Sequence, residues 1–311
     1  MATSFIDQTY TFEGTDAQEW YTKYVCGAPT LDMISIHSKV KNSVNVPSLN
    51  ISRSIQADSC NFTAGGDITA STKKLTVTAV AVKKELCVQD FEPLFLSQMM
   101  KDGSNEEDFL PADFATMLLD IEGKNVLKEV EEMIWNGDTA GGLGNHLDEI
   151  DGYIKQMVAD ASIVDVLLPA TLTAANITTE IGKVVQAIPK CMKKRKREEK
   201  VGIGISCTAA EFYREAISAN SPVHWFNLPD DVALSYNGWK LFVLDGLVDD
   251  DMIFCDFENL WFGTDLFGDI ETIKIIPLGE TTGDDLVRLK ARFKVGVSYG
   301  TPEEIVLYHI P

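Results

Sequence analysis

The sequence is poor in the residues from which catalytic and metal centres are usually built. Its four histidines stand far apart, at positions 37, 146, 224 and 309, and supply neither a ligand set nor a recognisable nucleophile–base–acid spacing. The six cysteines, at 26, 60, 87, 191, 207 and 255, include no CxxC pair, and 311 residues with 45% apolar content do not need disulfide stapling. Reduced thiols are expected, with Cys60 and Cys87 the one pair that a hairpin would bring face to face. No stretch reaches the roughly 18 uninterrupted apolar residues of a membrane helix. The first twenty residues mix Asp7, Glu13, Asp16 and Glu19 among apolar ones, unlike the basic-then-apolar order of an export signal. The expectation is a soluble, unexported chain with no metal, no cofactor and no membrane contact.

Positive charge is also scarce. There are 27 Lys and Arg against 47 Asp and Glu, a net charge of −20, and residues 101–165 alone hold 16 acids against four bases. Such a surface repels nucleic acid, because duplex binding is driven by basic groups that displace condensed counterions. One run opposes the trend: Lys190, then Lys193, Lys194, Arg195, Lys196, Arg197, Glu198, Glu199 and Lys200. It reads as a solvated turn between a helix and a strand, as a nucleic-acid patch or nuclear signal, or as a contact for an acidic neighbouring subunit.

Glycine and acid clusters do not fill the gap. Residues 136–144, NGDTAGGLG, hold four glycines in nine positions. They come after a helical pattern and lack the lysine of a phosphate-binding loop, so they read as loop alone. The glycines of VGIGIS, 201–206, lie inside a strand pattern. Asp249, Asp250 and Asp251 are of a type that holds a divalent cation, but an exposed turn before a strand accounts for them.

What the chain does contain is a definite order of patterns. Residues 1–37 carry Phe5, Tyr10, Phe12, Trp20, Tyr21 and Tyr24 among polar positions without a clear period. So much aromatic area must be covered, and an arm lying on a neighbouring surface fits it. From 38 to 86 the composition turns to Ser, Thr, Asn, Val and Ile, with strand propensity throughout. Leu75, Val77, Ala79 and Ala81 fall on one side of a strand and Thr76, Thr78, Val80 and Val82 on the other. Ala64, Gly65, Gly66 and Asp67 give the turn back to an earlier run, 49–62. An isolated two-stranded ribbon of this kind is marginally stable and exposes its edges, so it calls for a partner.

Residues 88–100 read as a short helix and 112–135 as a long one. In the latter, Phe114, Leu118, Ile121, Leu127, Val130 and Ile134 recur at three- and four-residue spacing behind Pro111, and Gly123 marks a bend. Thr173 caps a helix that Pro189 ends, strand 201–206 leads to a helix from Thr208, and strands come next at 239–244 and 252–254. Segments 272–276, 287–299 and 305–308 read as one closing antiparallel sheet packed on the long helix.

This order of aromatic arm, long β-loop, long helix, glycine loop, α/β lobe and closing sheet resembles the major capsid proteins of tailed bacteriophages, the Hong Kong 97 fold. Local strings are similar too: KLTVTAVAVK from Lys74, EMIWNGD from Glu132, GWKLFVL from Gly238, LWFGTD from Leu260 and RLKARFKVGV from Arg288. The resemblance implies an α+β fold in five parts: an N-terminal arm (1–37), an E-loop hairpin (38–86), a P-domain (87–155) with spine helix 112–135, an A-domain (156–265), and closing P-domain strands (266–311). It implies a subunit without enzymatic activity that assembles in the host cytoplasm into hexamers and pentamers of a virion shell. That shell would enclose double-stranded DNA without binding it specifically.

Implied intersubunit contacts are Phe62, Gly65, Gly66, Asp67, Lys73 and Lys74 in the E-loop and Phe5, Tyr10, Phe12 and Trp20 in the arm. A separate scaffolding protein, a portal and decoration proteins are the implied partners. With about 37 residues ahead of the β-loop, no fused scaffold is expected, nor is subunit crosslinking. The encapsulin nanocompartments share this fold, and a soluble α/β enzyme or ligand-binding protein is a rival of a different class.

Overall fold

The computed structural model describes residues 10–12, 20, 23–25, 28–51, 55, 68–87, 111–142, 144–220, 234–265, 271–278 and 286–310. The expected turn at 64–67 and helix at 88–100 lie outside them. The longest helix, α1 (Pro111–Asn136), opens on proline, whose missing N–H costs nothing at a first helical position. Its 26 residues span about 39 Å. Leu118, Val126, Val130, Met133, Ile134 and Trp135 are buried along it, whereas Ile121, expected on that face, is 53% exposed. Gly123 does not break the helix. The ring of Tyr24 lies so close that a Cβ there would come within 2.5 Å of it, so the glycine is a seat for an aromatic ring. The short helix α2 (Tyr153–Val158) buries Tyr153, Ile154 and Met157 in the same core as the end of α1.

Two six-stranded sheets flank α1. The first runs β1 (Tyr10–Phe12), β12 (Glu271–Pro277), β13 (Leu286–Tyr299), β11 (Leu260–Thr264), β2 (Ser35–His37), with β5 (Thr78–Cys87) also on β13. Strand β13 organises it. Its residues 286–295 pair antiparallel with β5 and 295–299 with β11, so two strands share one edge end to end while β12 holds the other. Along β13, Val287, Leu289, Ala291, Phe293, Val295 and Val297 are buried and Arg288, Lys290 and Arg292 are exposed, the period of two that a half-covered strand requires. Phe293, Val295 and Val297 join Val126, Val130 and Met133 of α1 in one core.

The second sheet runs β6 (Val164–Asp165), β14 (Val306–Tyr308), β10 (Met252–Asp256), β7 (Val201–Ile205), β9 (Trp239–Val243), β8 (Ser235–Tyr236). Strands β7 and β10 are buried on both faces. Met252 and Phe254 point to α3 (Ile177–Ala187) and α4 (Cys207–Asn220), while Ile253 and Cys255 point to the α1 core. This explains why Val201–Ile205 and 252–255 carry an apolar residue or glycine at every position.

Several expectations change here. Strand β14 belongs to the second sheet, not to a closing sheet with β12 and β13, and β11, placed by sequence with the α/β lobe, lies in the first. The helix expected from Thr173 begins at Ile177; the Thr173 carbonyl accepts from the Asn176 amide in the turn before it. Within 1–37, much of the described chain packs on its own subunit. Val25, Ala28, Leu31 and Ile34 join the α1 core, β2 lies parallel to β11, and β1 pairs with β12. Thr30 is the fastening. Its hydroxyl donates to the buried Glu131 and accepts from Trp135 Nε1 at 3.1 Å. Burial pushes the Glu131 carboxyl pKa up, opposed by the bonds from Thr30.

Replacing Gly123 with alanine tests the ring seat. Helix propensity alone would stabilise by about 1 kcal/mol, but displacement of the Tyr24 ring dominates, so denaturant unfolding should show a net loss of about 1–2 kcal/mol. A gain would mean that the ring yields freely.

Candidate intersubunit surfaces: the ribbon, its root and the charged turns

Strands β3 (Ser43–Ile51) and β4 (Ile68–Thr76) form a separate two-stranded ribbon, in register from Ser43↔Thr76 to Ile51↔Ile68. Nine residues per strand make it about 30 Å long. Among the described residues neither strand has another sheet partner. Val44, Asn45, Pro47, Thr72 and Lys74 are exposed along it. The ribbon is shorter than the span read from sequence. The expected continuous strand through 74–82 breaks at Val77, and the residues beyond it form β5, a member of the first sheet. The side-chain phase slips there as well: Leu75 and Val77 are buried, but Ala79 and Ala81 are exposed and Val80 and Val82 turn inward.

A glycine pair explains the break. Gly263 of β11 and Gly296 of β13 are cross-strand partners. A Cβ on Gly296 would fall 2.0 Å from the Thr76 carbonyl oxygen, and one on Gly263 would meet Val77 and Leu75 at 2.9–3.0 Å. The chain thus crosses the sheet face through a trough from which both side chains have been removed. Leu75 and Val77 close over it with Val40 and Trp261. The amide of Val77 donates to Asn42 O, and that of Val40 to Thr264 O.

One charged side chain of the ribbon is also tied to the body. Lys73 Nζ lies 2.9 Å from Asp160 Oδ2 and 4.2 Å from the centre of the Tyr299 ring, whose hydroxyl donates to the same carboxylate at 2.9 Å. Burial opposes the charge on Asp160, but the bonds from Lys73, the Ser162 amide and Tyr299 outweigh it and hold its pKa at about 2.

Of the residues singled out for contact, Phe5, Phe62, Gly65, Gly66 and Asp67 lie outside the described residues. Tyr10 and Phe12 fall in β1 on the subunit's own sheet. Trp20 sits on its own helix, donating from Nε1 to Leu119 O at 3.0 Å. Lys73 joins the clamp at the ribbon's root, and Lys74 is exposed beside it. Sequence reading passed over Asp160, Tyr299, Gly263 and Gly296. The last two carried a signal, since a glycine inside a strand pattern marks close backbone approach.

The loops flagged by sequence are ordered by charge. In the glycine loop, Lys155 pairs with Asp138 and Asp151, and Asp151 Oδ1 accepts from the Thr139 amide and hydroxyl. The Ala140 amide donates to Asp138 Oδ1 and the Gly144 amide to Asp148 Oδ2, so the protein's own carboxylates take these N–H groups. The acids 249–251 are not a plain exposed turn. Asp251 is buried against His309 at 2.9 Å, with burial raising its pKa, and Asp250 accepts from the Leu172 amide at 2.8 Å. The basic run is partly pinned: Met192 is buried, and Arg195 pairs with Glu198 at 2.6 Å and Asp256 at 2.5 Å. Among the described residues no group of three His, Cys, Asp or Glu side chains is arranged to hold a metal. No described helix is long and apolar enough to cross a membrane.

No protein-family model matches the chain, and no curated protein matches its sequence. Solved structures do match. A chain of the satellite phage P4 procapsid that includes the size determination (Sid) protein is 10% identical, with a TM-score of 0.58 over 94% of this chain and 98% of that one. The capsid of the native GTA particle gives 0.58 at 13% identity over 90% and 89%. A chain of Microbacterium phage Oxtober96 gives 0.55 at 13% over 99% and 95%. The chain therefore shares its fold with these phage and GTA particle chains, over 90–99% of its length.

Two substitutions test the root. Gly296→Ala forces Thr76 from the trough and should cost about 3 kcal/mol in denaturant unfolding, with increased protease cleavage in the ribbon. Asp160→Asn should lower stability above pH about 4, where the wild-type carboxylate is charged in both folded and unfolded chains. Because the folded pKa is depressed, that advantage fades as pH falls from about 4 towards about 2. A pH-independent gap between wild type and variant in thermal melts would discount the clamp.

Proposed function

We propose that this chain is a major capsid protein, a structural subunit that assembles with copies of itself into the icosahedral head of a tailed phage. The ribbon carries the reading. A two-stranded sheet about 30 Å long with unpaired edges is not stable as a free projection in water. A neighbouring subunit supplies the missing cover, and each subunit both gives and receives it, as closed symmetry requires. Lys74 and the segment 62–67 are the proposed contacts of the ribbon, and the start of the chain, including Phe5, adds a second strap.

The shell is non-catalytic in this reading and encloses double-stranded DNA. An excess of acid keeps its subunits from gripping the genome. Assembly takes place in the host cytoplasm, with a scaffolding protein, portal and decoration proteins as expected partners.

The test is electron microscopy of the full chain, expressed alone and with its scaffold, beside a variant in which residues 52–67 are replaced by Asn-Gly. Ile51 and Ile68 are paired, so a two-residue turn preserves the register. Wild type should form closed shells or ring-shaped capsomers. The shortened variant should melt like wild type yet form none. Normal shells from that variant would remove the contact role given to the segment 62–67 at the ribbon's end, and a wild type that stays monomeric with scaffold present would end the capsid reading. An enzyme found inside purified particles in place of DNA would indicate a nanocompartment.

A further inference from the structure

The second sheet separates charge along its strands. Because β7 and β9 are parallel, both begin at one end of the sheet and both finish at the other. At the start lies the basic turn. Lys190, Lys193, Lys194 and Arg197 are exposed there and outnumber the exposed acids Glu198, which Arg195 holds, and Glu199; none of the four pairs with an acid among the described residues. The backbone beneath them is fixed by buried Met192 and by the bonds of Arg195 to Glu198 and Asp256. The turn thus holds its cations outward on a rigid base.

At the finish, about 16 Å away along the five-residue strands, the charge is reversed. Asp245 comes just after β9, Asp249 lies in the same loop, and Glu211 sits on α4 one turn from its start, all three exposed. They converge near Cys207, whose thiol lies 2.9 Å from Asp245 Oδ1. Burial first, and then these three carboxylates, raise its pKa to about 11.

We infer that this lobe associates head to tail with a second copy of the chain, the turn of Lys193, Lys194 and Arg197 docking on the end that bears Asp245, Asp249 and Glu211. The inference rests on the shell-subunit reading and names the surface through which subunits meet. At a net charge of −20, copies repel in most orientations, and the basic turn against the acidic end is one that attracts. Unlike patches at opposite ends make a heterologous contact, the kind that closes into rings. A polyanion such as DNA would use the basic end alone, leave the acidic end without a role, and meet a chain of its own sign.

The test reverses each end in the full chain and measures association by sedimentation velocity and electron microscopy. Lys193→Glu with Lys194→Glu makes both ends acidic; Asp245→Lys with Asp249→Lys makes both basic. Each should associate at least about tenfold more weakly than wild type. An equimolar mixture of the two should associate, and the fourfold variant, with its ends exchanged, should recover wild-type assembly. The milder pairs Lys193→Gln with Lys194→Gln and Asp245→Asn with Asp249→Asn should weaken association by less, and melting curves check that every variant is folded.

If wild type assembles and the reversals assemble equally well, the inference fails while the shell reading stands. If the acidic-ended variant loses only co-sedimenting duplex DNA, the turn's partner is nucleic acid and the inference fails. If neither wild type nor the mixture associates with scaffold present, both fall.

Discussion

Strand β13 carries two strands end to end along one edge, and the architecture depends on that seam. The sheet must accept β5 over its first ten residues and β11 over its last five, so a chain that has just left the ribbon has to pass over it. Backbone cannot cross a packed sheet face through side chains. The Gly263–Gly296 pair removes them at the crossing, and Leu75 and Val77 cap the gap. Ribbon, first sheet and long helix are therefore set by one local solution to a crowding problem, and the Lys73–Asp160–Tyr299 cluster adds charge to a joint that packing has already made.

A second constraint is buried polarity. Glu131 lies inside the core, where a carboxylate is expensive unless hydrogen-bonded. Thr30 answers it and at the same time receives the indole of Trp135. One threonine from the early part of the chain thereby satisfies two groups on the last turns of α1. The segment 28–37 is held to the helix by polar complementarity as well as by Leu31 and Ile34. It belongs to the subunit's own core, though its sequence resembles a detachable arm.

The legible parts of the fold were those where one periodicity persists. The helix from Pro111, the buried runs at 201–205 and 252–256 and the alternation of 287–297 each signal their type over enough residues to be read. The parts misread depend on partners distant in sequence. Nothing local in 306–308 distinguishes pairing with β10 from pairing with β13. The alternation of 74–82 looks continuous because valine and alanine serve either face, which hides the slip at Val77. The clamp escaped notice because Lys73, Asp160 and Tyr299 are widely separated and ordinary individually. The charged turns were visible as composition, but only the parallel pairing of β7 and β9 shows that they occupy opposite ends of one lobe.

The ribbon's attachment also makes it a lever. It is gripped over a few residues at one end and runs about 30 Å beyond, so a rotation of about 10° at the glycine trough sweeps its far end through about 5 Å. No side chain at Gly263 or Gly296 stands in the way of that rotation, and the seat of Thr76 on Gly296 and the Lys73–Asp160 pair set its resistance. In the shell proposed above, where one sequence would meet its neighbours at unequal dihedral angles, this root is the joint at which a subunit would adjust its reach without altering its core.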